Sequence, residues 1–263
     1  MNLTALAALP PLLERRAMEM DFSVAYLREY TPFRDDGAGV ATAPLRTVHA
    51  TVLSWLDTLV SAAAQRLRDQ ARAVRQALGR YAASDAASAA ALDAAVPLAA
   101  HHGRLPTATA DQAVGPDVFG TVWVAAPQLR DPPWYPPVGV RPPGEPAVGD
   151  VRHRIVVWMS DQGGPVGQLG TQLLQAQDVA TEVLSGDWRG VRTSAYTYAS
   201  MADALTVVGD DLTSTRLALG SVWTGHAALA CATALGAGVA DLEHVAGVLR
   251  WLSTVYDETG TDA

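Results

Sequence analysis

Tyr81 and Asp85 stand four residues apart in ALGRYAASDAASAAAL. On a helix that spacing puts a phenol and a carboxylate on one face, where a partner could grip both. This is chemistry for recognition rather than for making bonds; the plainer reading is that Tyr81 closes an apolar seam while Asp85 sits on the surface. A second pair is Trp223 and Gly225 in SVWTGHAA. Glycine permits the backbone of a tight turn between helices, and an aromatic residue two positions earlier covers the open end. The histidines, at 49, 101, 102, 153, 226 and 244, include no pair at the i, i+4 spacing of a helical metal site, and no carboxylate or cysteine cluster accompanies them. They are expected at the surface or at caps. Cys231, the single cysteine, lies in ALACATAL with no electropositive neighbour and reads as a small core residue, not a nucleophile. A phosphate-cradling glycine loop, a Gly-x-Ser-x-Gly elbow and zinc-ligand spacing are all missing, so the expectation is a non-enzymatic protein with no cofactor and no metal.

What must position these residues is a mainly helical chain. Its 263 residues, 49% of them hydrophobic, are enough for a packed core, with one or two domains expected. A net charge of −8 argues against nucleic acid, whose binding relies on clustered cations. All 19 cations are arginine, Asn occurs only at position 2 and Ile only at 155, a usage typical of a GC-rich genome. The first residues, MNLTALAALPPLLERR, have no basic start and are interrupted by Pro10–Pro11, so they do not make a Sec signal peptide.

From Pro11 the apolar residues Leu13, Ala17, Met20, Val24 and Leu27 follow helical spacing up to Thr31–Pro32. TPFRDDGAGVATAP, with Gly37 and Gly39, then turns the chain. A longer helix is expected from Leu45 to Ala94, its seam running from Leu53 through Leu56, Val60, Ala63, Leu67, Val74 and Ala77 to Tyr81, with Gln70 as the one polar break. Arg66, Arg68, Arg72, Arg75 and Arg80 fall off that seam and form a solvated face. Residues 96–163 are rich in proline and glycine and read as a linker or irregular cap, parts of which dock on the helices. Within this region, 118–126 and 152–158 carry enough Val, Ile and Trp to form short strands. Gln168–Leu184 reads as an amphipathic helix, and Gly186–Gly190 breaks it. Two further helices are expected on either side of Trp223–Gly225. The first, about 195–222, has Met201, Leu205, Val208, Leu212, Leu219 and Val222 on its seam, with Thr215 at the one polar position and Asp210, Asp211 and Arg216 off it. The second has Leu235, Val239, Leu242, Ala246, Leu249, Leu252 and Tyr256.

The helix, glycine-rich bend, longer helix and Tyr81-x-x-x-Asp85 of residues 1 to about 95 resemble the EspC-like helical hairpins among type VII secretion substrates of actinobacteria. The resemblance implies that Tyr81 and Asp85 act as part of an export signal read by the membrane-anchored secretion ATPase. Residues 165 to 258, with LSGDWRGV, a long helix, SVWTGHAA and a second helix, resemble the WXG-type trafficking region of actinobacterial secreted toxins. Two departures stand out. Gly260 occupies the place an acid would take after Tyr256, and the enzymatic domain that the toxins would lead one to expect after this region is not in the sequence.

The resulting expectation is a mainly α protein of two long antiparallel hairpins with four-helix-bundle packing, divided as 1–95, 96–163 and 164–263. The hairpins would pair with each other or with a small WXG-type partner, and a homo- or hetero-dimer is compatible with the expectation. The protein would be made in the cytoplasm and leave by a type VII system, to be secreted or held at the cell surface. A cytosolic adaptor or chaperone-like scaffold is the alternative. A membrane-associated helical protein is a further one, since Leu217–Ala240 has no formal charge over a bilayer-spanning length; its many Ala, Gly and Thr residues argue against stable insertion.

Overall fold

The computed structural model describes residues 2–31, 43–95, 119, 129–133, 148–162, 167, 168, 170, 171 and 188–257. Among them the secondary structure is helical, with no strand: α1 (Leu3–Leu6), α2 (Leu9–Tyr30), α3 (Ala43–Ala95), α4 (Val148–Asp161), α5 (Trp188–Val222) and α6 (His226–Asp257). The expectation of a mainly α chain therefore holds. Gly37, Gly39 and nearly all of the helix expected at Gln168–Leu184 lie outside the described residues.

The apolar spacings work as core. Every expected seam residue of α2 is buried, Leu13, Ala17 and Met20 completely, and so is every one of α5 and α6, with Leu205, Leu212, Leu235, Leu249 and Leu252 at 0% exposure. On α3 the buried run extends from Val48 to Val74, though Leu53 and Ala77 are only half-buried. Each fully buried leucine contributes on the order of 2 kcal/mol from water exclusion, which holds these helices far more firmly than their intrinsic propensity does.

The segment 152–158 is not a strand. It lies within α4, which buries Ile155, Val156 and Met159. Those positions are one and four apart, the spacing of a helix face; an alternating strand would have buried Val157, which is 38% exposed. The other expected strand, 118–126, lies outside the described residues except for buried Phe119.

The chain forms two compact units, each drawing on all three stretches of the sequence. Unit 1 comprises Met1–Met18, Ala63–Ala125 and Gly209–Ala240; unit 2 comprises Glu19–Ala62, Ala126–Val208 and Asp241–Ala263. In unit 1, Asn2 is a double cap. Its side chain accepts from Ala5 N at 3.0 Å to start α1, and its own N–H donates to the carbonyl of Val222 at 2.9 Å, satisfying an acceptor that the end of α5 leaves open. In unit 2, residues of the Pro-rich region dock on α2: the Tyr26 hydroxyl donates to the carbonyl of Arg130 at 2.6 Å and the Tyr30 hydroxyl to Asp131 Oδ1 at 2.8 Å. That bond to a carboxylate pushes the Tyr30 phenol up to about 12. Trp158 of α4 stacks on Trp251 of α6, centroids 5.1 Å apart, and meets the edge of Trp55 of α3 at 5.5 Å. All three indoles are half-buried.

The uncharged run Leu217–Ala240 is not one helix. Trp223–Gly225 divides it between α5 and α6, and no described helix is long and apolar enough to cross a membrane.

Candidate functional site

Tyr81 and Asp85 lie on the last third of α3, within unit 1. The buried face of the helix ends just before them: Val74 is buried, Ala77 and Leu78 are half-buried, and residues 82–88 are all exposed. Tyr81 is half-buried and Asp85 exposed, so a phenol and a carboxylate one helical turn apart are both within reach of solvent. Alanine dominates this end of α3, and its low cost in side-chain entropy sustains a helix where packing gives little help.

Trp223 and Gly225 form the connection between α5 and α6. Trp223 N donates to the carbonyl of Leu219 and closes α5; Leu229 N donates to the carbonyl of Gly225 and opens α6. Gly225 has φ +101°, the one positive φ among the described residues, in a region where a Cβ would be strained. The indole of Trp223 is 3% exposed, and its Nε1 has no protein acceptor.

Two buried polar contacts went unrecognised in the sequence. In unit 1, Arg16 Nε of α2 donates to Asp211 Oδ2 of α5 at 2.6 Å, with the two side chains 6% and 0% exposed. Asp211, expected off the apolar face, is instead fully buried, and its Oδ1 has no protein donor. One turn further along α5, the Thr215 hydroxyl is also fully buried and unpartnered. Gln70 Oε1, the polar break in the α3 seam, is another buried acceptor without a partner in the same unit.

In unit 2, His49 of α3 is fully buried, contrary to the expectation of a surface or capping histidine. One imidazole nitrogen, Nε2, lies 2.7 Å from the carbonyl of Thr31. A carbonyl can only accept, so Nε2 carries the proton and Nδ1 is left as an acceptor. The Tyr256 hydroxyl donates to Nδ1 at 2.7 Å, with the Tyr198 hydroxyl 3.2 Å away and hydrogen-bonded to Tyr256 as well. The donors thus run in one direction, from Tyr198 and Tyr256 through His49 to the main chain. Burial holds His49 down at about 4, so the ring is neutral at physiological pH, and burial raises both phenols far above their ordinary range. Neither sequence spacing nor motif marks this cluster, because its members come from α3, α5 and α6.

Of the other histidines, His226 and His244 are exposed. The Cys231 thiol is half-buried and pushed up to about 11 by burial, which favours the thiol over the nucleophilic thiolate. An open cavity of about 440 Å³ in unit 2 is lined by Arg130, Tyr196, Ser200, Asp203 and Val207 among others. Among the described residues no three His, Cys, Asp or Glu side chains are placed to hold a metal ion. Comparisons with protein-family models, with curated proteins and with solved structures return no match.

Proposed function

We propose that the protein is a non-enzymatic type VII secretion substrate or trafficking module, which presents Tyr81 and Asp85 as an export signal to the secretion ATPase. The observation that carries this reading is the end of α3, where the helix continues past its buried seam and leaves residues 82–88 exposed, Asp85 among them. A recognition element must be reachable and held in shape, and this one is both. The Trp223–Gly225 connection adds support, since it has the buried indole and the positive-φ glycine that a WXG-type turn calls for.

On this reading α2 and α3 form one antiparallel hairpin and α5 and α6 a second, packed as a four-helix bundle. Contacts between α5 and α6 fit that arrangement. Arg250 reaches Thr206 at 2.5 Å in unit 2, and a Cβ at Gly236 would meet the guanidinium of Arg216 at 2.7 Å in unit 1, so residues later on α5 meet residues earlier on α6. The apolar seams of α2, α5 and α6, and that of α3 as far as Val74 apart from half-buried Leu53, are covered within the chain, which favours pairing of the hairpins with each other over pairing with a small WXG-type partner.

The test is export itself. In an actinobacterial host with a type VII system, Tyr81→Ala and Asp85→Ala should each cut the protein in the culture or cell-wall fraction to the background set by a cytosolic marker, with the helical circular dichroism of the purified variants unchanged. Wild-type amounts outside the cell for both variants would show the reading to be wrong.

A further inference from the structure

The pair formed by Arg16 and Asp211 joins residues 195 positions apart in sequence, on α2 and on α5, inside unit 1. It is a poor device for stability alone. Both charges have been taken out of water, and Asp211 keeps one oxygen, Oδ1, with no protein donor to replace the water it lost. What the arrangement does well is discriminate. An α5 face that buries a carboxylate tolerates only a neighbouring helix with a cation at the matching depth, and any apolar substitute leaves the charge uncompensated.

Such discrimination has a use here, because the helices that meet at this pair come from distant parts of the sequence. All of residues 96–187 separate α3 from α5. Within that stretch α4 meets α3 and α6 through Trp158 in unit 2, while in unit 1 α2 and α5 meet at Arg16 and Asp211. Apolar seams do not supply the missing selectivity, because Leu and Val at helical spacing fit many helices.

We infer that Arg16 and Asp211 form a recognition pair that directs the N-terminal helices to the C-terminal helices of this same protein and rejects helices lacking the complementary charge. The inference deepens the pairing half of the reading above and is independent of whether Tyr81 and Asp85 direct export. The partner it fits is the chain's own second half, supplied in cis or by a second copy.

Two full-length variants test this, because each breaks the pair from one side. Arg16→Met leaves Asp211 buried without its cation, and Asp211→Leu removes the carboxylate that Arg16 Nε meets. Each alone should lose about 10 °C or more of Tm. The double variant R16M/D211L, with an apolar contact in place of the pair, should recover to within a few degrees and, with the selective contact gone, should form more exchanged dimer on refolding than the wild type. The decisive sample is an equal mixture of the two single variants, unfolded in urea and refolded together. Exchange of halves between the two chains restores one Arg16–Asp211 pair and creates one Met–Leu contact, so light scattering after size exclusion should find a heterodimer of twice the chain mass, with its Tm restored. A mixture that behaves as the sum of its two components, a double variant that fails to recover, or a double variant that refolds with no more exchanged dimer than the wild type would overturn the inference. Neither readout involves secretion, so failure here is distinguishable from failure of the export test.

Discussion

Unit 1 and unit 2 each bury one polar contact between helices far apart in sequence, and they do so with opposite chemistry. In unit 1 the contact is charged: Arg16 and Asp211 meet at 2.6 Å, and Asp211 keeps an oxygen with no protein partner. In unit 2 it is neutral, with every ring group in use: Tyr198 and Tyr256 donate toward His49, which donates to the Thr31 carbonyl. Removal of one partner costs most where the remaining group keeps a full charge, whereas a change of pH acts most on the group whose proton is in play. The charged contact should therefore respond to mutation and the neutral one to acid.

The largest effect expected from a single substitution follows from the first half of that contrast. Asp211→Asn keeps the shape but removes the carboxylate that Arg16 Nε meets at 2.6 Å. Urea unfolding should register a loss of roughly 3–5 kcal/mol. A loss below about 1 kcal/mol would show that the contrast between the units is false.

Acid is the second way to test it. His49 titrates at 6.5 when free and at about 4 in the fold. As pH drops, the unfolded chain takes up a proton that the folded chain refuses. The contribution is intact above pH 6.5 and is lost as pH falls from 6.5 to 4, by roughly 3 kcal/mol in full. Protection against hydrogen exchange, taken relative to the intrinsic rate at each pH, should fall first around Val48–Leu56 in unit 2 rather than around Leu212–Leu219 in unit 1. Replacing His49 by Phe should flatten this part of the pH profile while lowering stability throughout, because the Thr31 carbonyl then loses its donor.

The smallest expected effect defines the baseline. Tyr81→Ala and Asp85→Ala fall where α3 has left the core, so each should change unfolding free energy by no more than about 0.5–1 kcal/mol. A larger loss at Asp85 would place it in a buried contact and remove it as an exposed signal.

These contrasts also mark what a reader of the sequence could see. The seams were legible because leucine, valine and methionine at three- and four-residue spacing have one economical use in water, which is to face other helices. Trp223–Gly225 was legible as a turn because it separates two such seams. Arg16 and Asp211 were not, since charged residues on a helix read as solvent-facing until the facing helix is known. His49 was illegible for the same reason, its tyrosine partners being 149 and 207 residues away. The Ile155–Val156–Val157 run misled in the opposite direction. Its β-branched residues favour strands locally, but α4 buries Ile155, Val156 and Met159 on one face, and that burial outweighs the local preference. For Tyr81 and Asp85 the sequence shows the spacing, and the structure adds their position beyond the buried seam.

The indole cluster of unit 2 has an optical consequence. Trp158 and Trp251 lie 5.1 Å apart with planes inclined at 26°, and Trp55 meets Trp158 edge-on. Transition dipoles held this close in a fixed chiral array couple, so the folded protein should show a near-ultraviolet dichroic band that no single tryptophan would produce. The band depends on α4 remaining against α3 and α6. Its disappearance with the far-ultraviolet helix signal intact would report detachment of α4 alone, which gives this region a built-in spectroscopic reporter without an added label.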